Sequence, residues 1–221
     1  MILIATGLKR EAKILAGPDA HVIAGGGDGE RLRRELEAAA PKASAILSAG
    51  LCGALSPGLK PGDWVVAMEV ITTDGAHIAT DKNWNIALMK ALPDARAGLV
   101  LGSDVMIADA AGKARAHDHT GTIAVDMESH VAGEVAARHG LPFAVARVVS
   151  DAADRSLPKA AQAGMATDGG MDIAAVLRAL ARDPRQLPAL IRVGGEAETA
   201  FKALGRGRDL VGPGIGRLDL G

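Results

Sequence analysis

The chain predicts an α/β protein, a sheet whose strands are joined by crossover helices. Three observations carry this: short β-branched or aliphatic runs alternate with helically spaced stretches, glycines punctuate the ends of the runs, and apolar residues are plentiful. Met1 to Thr6 is an aliphatic run ended by Gly7, and Leu8 to Leu15 resumes at helical spacing. His21 to Ala24 reads as a second strand before Gly25-Gly-Gly27, Arg31 to Ala40 as an Ala/Glu/Arg/Leu helix, and Ala43 to Ala49 as a buried strand followed by a turn, Gly50-Leu-Cys-Gly53. Trp64 to Val70 follows the Pro61-Gly62-Asp63 turn as a strand, Asn83 to Leu92 as a helix, and Ala97 to Gly102 as a strand. Thr122 to Val125 leads into a helix from Glu128 to His139 that stops at Gly140, and Pro142 to Val149 is a fully apolar strand ending at Ser150-Asp151. Residues 151–170, rich in Pro, Ala, Gly and Asp, read as a connection. Helices then follow at Met171 to Ala181, Pro188 to Val193 and Glu196 to Leu204, interrupted by Asp183-Pro184, with a Gly-rich tail from Gly205 to Gly221 expected on the surface or frayed.

A length of 221 residues suits one α/β domain, and 48% hydrophobic against 23% charged residues supplies a core that a disordered chain would lack. The 25 basic and 26 acidic side chains nearly cancel, and the 2% aromatic content offers few stacking rings, which together argue against nucleic acid as a partner. Cys52 stands alone, so no internal disulfide forms; with no leader-like apolar segment at the start, a reducing, cytoplasmic location is expected.

In sheets with parallel strands, ligands bind beyond the carboxyl ends of strands. Four places there carry polar groups: Gly7 with Glu11, the Gly50 to Leu55 stretch, Asp126-Met-Glu-Ser129, and Ser150-Asp151. Each has an ordinary structural reading beside a chemical one. Asp151 could cap a turn, Glu128 could satisfy a helix N-terminus, and glycines could serve geometry alone. Lys9 and Arg10 read as a solvated helix face, with inward anion binding as the alternative. Cys52 reads as a small buried residue, with no neighbouring base to make it a nucleophile. His77, His117, His119 and His130 show no spacing that frames a metal, and His119 reads as a loop residue before the Thr122 strand.

Val125-Asp-Met-Glu-Ser129 followed by Leu141-Pro-Phe-Ala-Val-Ala-Arg-Val-Val-Ser-Asp151 resembles the purine nucleoside phosphorylase and nucleosidase superfamily, in particular the methylthioadenosine/adenosylhomocysteine nucleosidases. Gly7-Leu-Lys-Arg-Glu-Ala12, Gly50-Leu-Cys-Gly-Ala-Leu-Ser-Pro57 and Leu59-Lys-Pro-Gly-Asp-Trp-Val-Val66 match in the same order, so the similarity spans residues 1–154. Ser156-Leu-Pro-Lys-Ala-Ala161 and the stretch from Val176 to Pro188 resemble the hopanoid-associated phosphorylase branch, implicated in removing adenine from adenosylhopane.

The resemblance implies a three-layer α/β/α sandwich around a mixed sheet, with residues 1–154 as catalytic core and residues 155–221 as C-terminal helices and tail. It implies cleavage of the N-glycosidic bond of an adenosyl nucleoside. Asp151 would protonate the purine at N7, favoured in its protonated form by desolvation and held by Ser150. Glu128 would grip the ribose hydroxyls above Met127, and Glu11 would activate the attacking water. Met106 and the backbone of Ile107, in the segment from Asp104, would hold the base, with Gly7, Gly50, Cys52 and Gly53 lining the pocket. A carboxylate at Glu11 leans toward water over phosphate as nucleophile, and Leu51 and Cys52 stand where phosphorylases place a serine, with Ser48 and Ser56 close by. No cofactor is implied beyond phosphate as a co-substrate. A homo-oligomer is implied, and a lipid-linked substrate implies an apolar opening near the 171–204 helices and transient membrane contact. The alternatives are a phosphate-dependent purine or uridine phosphorylase and a non-catalytic nucleoside-binding domain.

Overall fold

The computed structural model describes residues 1–92, 94–163, 169–170, 172–212 and 214–216. Along the chain run β1 (Ile2–Thr6), α1 (Lys9–Leu15), β2 (Ala20–Ala24), α2 (Gly29–Ala39), β3 (Ala45–Ala54), β4 (Trp64–Thr72), β5 (His77–Ala79), α3 (Lys82–Ala91), β6 (Arg96–Gly102), α4 (Ala110–Thr120), β7 (Ala124–Asp126), α5 (Ser129–His139), β8 (Phe143–Asp151), α6 (Lys159–Ala163), α7 (Ile173–Arg182) and α8 (Leu187–Val211). The alternation predicted from the apolar runs is therefore present, and the strands form one mixed sheet.

β1 lies between β2 and β3, parallel to both, and β3 also pairs in parallel with β8. β8 runs antiparallel to β4, which is parallel to β6 and antiparallel to β5. β6 pairs in parallel with β7, and β7 returns antiparallel to β3. The strands β3, β8, β4, β6 and β7 thus close into a ring, with β2 and β1 extending from β3 and β5 lying at the edge of β4. Helices cover both faces. On one, Leu32 and Leu36 of α2 and Val131, Ala132, Val135 and Ala136 of α5 pack on Leu3, Ile46 and Val145. On the other, Leu15 of α1, Trp84 and Leu88 of α3, and Ala200, Ala203 and Leu204 of α8 pack on Ile4, Leu47, Val66 and Ala146. Three layers result, because every central strand is apolar on both sides and needs two covers.

Four expectations need correction. Gly50-Leu-Cys-Gly53 is not a turn: β3 runs through it, with Gly50 opposite Arg147 and Leu51 opposite Val148 of β8. Gly50 sits at φ 147°, and a Cβ there would lie 2.7 Å from Thr6 Oγ1 and 3.0 Å from Arg147 Nη1, so the glycine serves close approach rather than reversal. His119 lies in the last turn of α4, a helix with no apolar stripe to betray it, since its one buried side chain is Lys113. The two predicted helices at 188–193 and 196–204 are one, α8, continuous through Gly194 and Gly195. Two interior glycines cost about 2 kcal/mol relative to alanine, and the buried second half, Ala200, Phe201, Ala203, Leu204 and Gly207, outweighs that. The tail is not surface-bound from Gly205 on: helix continues to Val211, and Ile215 is buried with its carbonyl accepting from Trp84 Nε1 at 2.9 Å. Residues 213 and 217–221 of that tail, residues 164–168 of the connection and Met171 lie outside the described residues.

A Cβ at Gly207 would stand 2.1 Å from Trp64 Cζ2. Gly207→Ala is therefore expected to lower unfolding free energy by about 1–3 kcal/mol through overpacking, read from urea titration; a loss under ~0.5 kcal/mol would show that α8 is not locked against the sheet.

Candidate active site

The site is organised around Arg147, the one charge inside the apolar run from Phe143 to Val149 of β8 and completely buried. Its Nε lies 3.2 Å from Asp126 Oδ2 and its Nη1 3.1 Å from Glu128 Oε2. Nη2 donates to Ser48 Oγ at 2.5 Å, and Ser129 Oγ donates to Ser48 Oγ at 3.0 Å. Burial works against the guanidinium charge, but Asp126, Glu128 and Glu11 outweigh it and push the pKa up.

Asp126, at the end of β7, caps α5: its Oδ1 accepts from Glu128 N at 2.9 Å and Ser129 N at 2.7 Å. Glu128, the N-cap residue itself, makes no side-chain cap hydrogen bond. The helix-start role that the sequence left open for Glu128 therefore belongs to Asp126, and the Glu128 carboxylate is spared to face Arg147 and Gly7. Burial raises the Glu128 pKa to about 7, with Asp126 and Glu11 adding to the rise and Arg147 opposing it.

Glu11 is buried in the first turn of α1. Its Oε2 accepts from Thr6 Oγ1 at 2.6 Å, Gly7 N at 2.9 Å and Leu8 N at 2.7 Å, while among the described residues Oε1 accepts only from Leu51 N at 2.8 Å. Each carboxylate oxygen offers two lone pairs, so Oε2 is saturated and Oε1 keeps room for a further donor. A Cβ at Gly7 would sit 3.0 Å from Glu128 Oε1 and 3.5 Å from Glu11 Oε2, which places both carboxylates beside that glycine.

Asp151 ends β8, four residues beyond Arg147, about 13 Å along an extended strand. Cys52 pairs with Val149 and Gly53 with Asp151, so Ser150 is the extra residue of a bulge. Ser150 Oγ lies 2.6 Å from Asp151 Oδ1 and 3.1 Å from the Cys52 carbonyl, either of which its single proton can serve. Gly53 adjoins Asp151, a Cβ there lying 3.4 Å from Oδ2. Asp151 is buried, but its desolvation is accompanied by an opposite charge that the sequence reading did not foresee: Lys113 of α4, wholly buried, pairs with Oδ2.

Of the remaining residues, Met127 is half-buried with its Cε facing Gly27, and Met106 is half-buried in the segment after β6. Ile107 packs against Leu55, Leu101 and Val125. The Cys52 thiol is buried and pushed well up, first by desolvation and then by Asp126, which removes it as a nucleophile. Arg10 does not turn inward: it pairs with Glu198 at 2.7 Å and stacks 4.0 Å over Phe201. Ser48 accepts from Arg147, and Ser56 bonds the Pro57 carbonyl at 3.4 Å. The sequence reading named Asp126 at a strand end without giving it a role, and it missed Arg147 and Lys113. Arg147 had a signal, one cation inside an apolar strand; Lys113 had none.

A family model described as the phosphorylase superfamily matches residues 29–182. The chain belongs to that superfamily. It is thereby an enzyme of nucleosidase or nucleoside phosphorylase type, acting on the N-glycosidic bond of a nucleoside. Among solved structures, the 5′-methylthioadenosine/S-adenosyl homocysteine nucleosidase of Campylobacter jejuni superposes with a TM-score of 0.62 at 18% identity, over 93% of this chain and 98% of its own. The corresponding nucleosidase of S. pneumoniae, with a transition-state inhibitor, gives 0.63 at 14%, over 95% and 99%. Futalosine hydrolase of Helicobacter pylori gives 0.61 at 16%, over 68% and 87%. At such identities these likenesses show the fold.

Removing one partner of a buried ion cluster leaves charges uncompensated. Arg147→Met is expected to cost about 3–5 kcal/mol of stability, measured by denaturant unfolding. Glu128 gives a pH test. Its folded pKa of about 7 lies above its ordinary value of 4.5, so between those values the folded form holds a proton the unfolded chain has lost. Stability attributable to Glu128 should fall as pH rises through that window, by on the order of 3 kcal/mol, and level off above it. The difference in unfolding free energy between wild type and Glu128→Gln, followed from pH 4 to 8, isolates the effect; a flat difference would contradict it.

Proposed function

We propose that this protein hydrolyses the N-glycosidic bond of an adenosyl nucleoside and releases adenine, with adenosylhopane as its preferred substrate, working as a cytoplasmic homo-oligomer. The observation that carries the hydrolytic reading is the charge of the site: Glu11, Asp126 and Glu128 group around one guanidinium, that of Arg147, which two of them already engage. A phosphate dianion arriving beside Glu11 would meet net negative charge in a low-dielectric setting, whereas a neutral water would find an acceptor in Oε1.

The C1′–N9 bond breaks with its electron pair leaving on the purine, and Asp151 donates its proton to N7. Glu128, in its carboxylate form steadied by Arg147, accepts from the ribose 2′ and 3′ hydroxyls and faces the developing cation. Water adds to C1′ and its proton passes to Glu11 and then to solvent. Asp151 regains its proton from solvent after adenine departs. Met106, Ile107 and Met127 contribute apolar surface, and Gly7, Gly50 and Gly53 allow the approach of ligand to backbone. The adenine preference rests on the resemblance to adenosyl nucleosidases, named for such substrates in the solved relatives.

The lipid-linked substrate is supported by the C-terminal helices. α7 has no buried residue although Ile173, Val176, Leu177 and Leu180 share one face, and Ile173, Leu177, Leu187 and Ile191 are exposed. Such a surface suits a hydrocarbon tail or transient contact with a membrane, although no described helix is long and apolar enough to cross one.

Adenine release from adenosine and from adenosylhopane, each with and without inorganic phosphate, tests the reading. Phosphate-independent release of a free sugar, faster on adenosylhopane, is expected; a strict phosphate requirement with a sugar 1-phosphate product would overturn hydrolysis. Asp151→Asn should bind adenine as wild type does and lose about 10²–10⁴-fold in kcat, which a binding domain without activity could not show.

A further inference from the structure

Lys113 is a wholly buried lysine in α4 that the reaction as described does not use. Lysine is among the residues least often buried completely, and moving an ammonium out of water costs several kcal/mol unless every donor is met. Here each is. Besides Asp151 Oδ2, Nζ donates to the carbonyls of Ala152 at 2.9 Å and Arg155 at 3.0 Å. Three N–H groups face three acceptors, so none remains for a substrate. Lys113 therefore acts through Asp151 and the segment behind it.

We propose that Lys113 is a positioning residue for the acid: it clamps Asp151 through Oδ2 and fixes the residues that follow β8. The transferable proton then lies on Oδ1, and a permanent positive charge stands beside the carboxylate left when that proton goes to N7. This rests on the reading of Asp151 as the acid. A packing role alone does not call for a charge, because a methionine of similar length could fill the buried space that Lys113 occupies without the cost of desolvating an ammonium. The second oxygen is controlled separately by Ser150, so the two oxygens of one carboxyl have different partners, one an immovable cation and the other a hydroxyl that can also turn to the Cys52 carbonyl.

The groups facing the pair are few. From β3 comes the neutral Cys52 thiol, which also feels Asp126, Arg147 and Glu11. From the segment after β8 come Asp154 and Arg155, exposed and 3.6 Å from each other, and Asp109 at the head of α4 is engaged with Gly112 N at 2.7 Å. Lys113 is the charge in contact with Asp151.

The test follows the Asp151 carboxyl directly by carbon-13 NMR of aspartate-labelled protein, its signal assigned by its loss in Asp151→Asn. In Lys113→Met the titration midpoint of that carboxyl should rise by roughly one pH unit or more, since an opposite charge has been taken from a buried acid, and kcat should fall at least about tenfold. Lys113→Arg, which keeps the charge, should hold the midpoint near the wild-type value. Should Lys113→Met not fold, Lys113→Gln removes the charge while keeping two donors for the carbonyls and is read the same way. A midpoint unmoved in the neutral variants, or a kcat loss equal in Lys113→Arg and Lys113→Met that tracks lost thermal stability, overturns the proposal. If Asp151→Asn keeps full activity while the Lys113 variants still move the midpoint, it is the assignment of Asp151 as acid that fails, and the clamp stands.

Discussion

The buried guanidinium of Arg147 holds the molecule's chemistry in one place. It ties β8 to the β7–α5 junction through Asp126 and Glu128 and to β3 through Ser48. Without that cation, three carboxylates would crowd a site shut off from water, and at least one would have to take up a proton or move outward. With it, Asp126 is free to cap α5, and Glu128 is left with a carboxylate that caps nothing. A buried cation grouped with several acids also underlies the proposed hydrolysis, in which a neutral nucleophile meets a sugar that becomes positive as its bond breaks.

Two buried charged groupings lie along one strand. Arg147 and Asp151 stand at successive points of β8, with a bulge at Ser150 between them that shifts the register against β3. Each grouping has its own cation, Arg147 with Asp126 and Glu128, and Lys113 with Asp151, and each cation is completely buried. The acidic groups at these two points of the strand thus do not share a counter-charge. The strand supplies the spacing, the β7–α5 junction supplies the partners of Arg147, and α4 supplies that of Asp151.

Much of this was legible in the residues. The apolar runs and glycine stops gave the order of most strands and helices, and Gly140 ended α5 as its position suggested. Glu11, Glu128, Ser150 and Asp151 were visible as polar residues at strand ends, and the structure puts Glu11 and Glu128 beside one glycine and Ser150 in hydrogen-bond contact with Asp151. α4 was not legible, because Ala, Lys, Arg and His leave no apolar period and the side chain it buries is a lysine. The single helix α8 was misread as two because Gly194 and Gly195 looked like a break, while the packing that keeps it whole lies on Trp64 and Leu92, far away in sequence.

By itself the sequence determined the alternating class of the fold, the apolar strands that demand two covering layers, and the residue types able to carry acid, sugar-binding and base roles. These are local properties, set by spacing and side-chain chemistry. The tertiary structure decided which acid caps a helix and which remains for a ligand, that Gly50 serves an approach and not a turn, and that Lys113 belongs with Asp151. Those outcomes depend on contacts across dozens of residues, where burial turns an ordinary charge into one that must find its partner, and no local pattern encodes that choice.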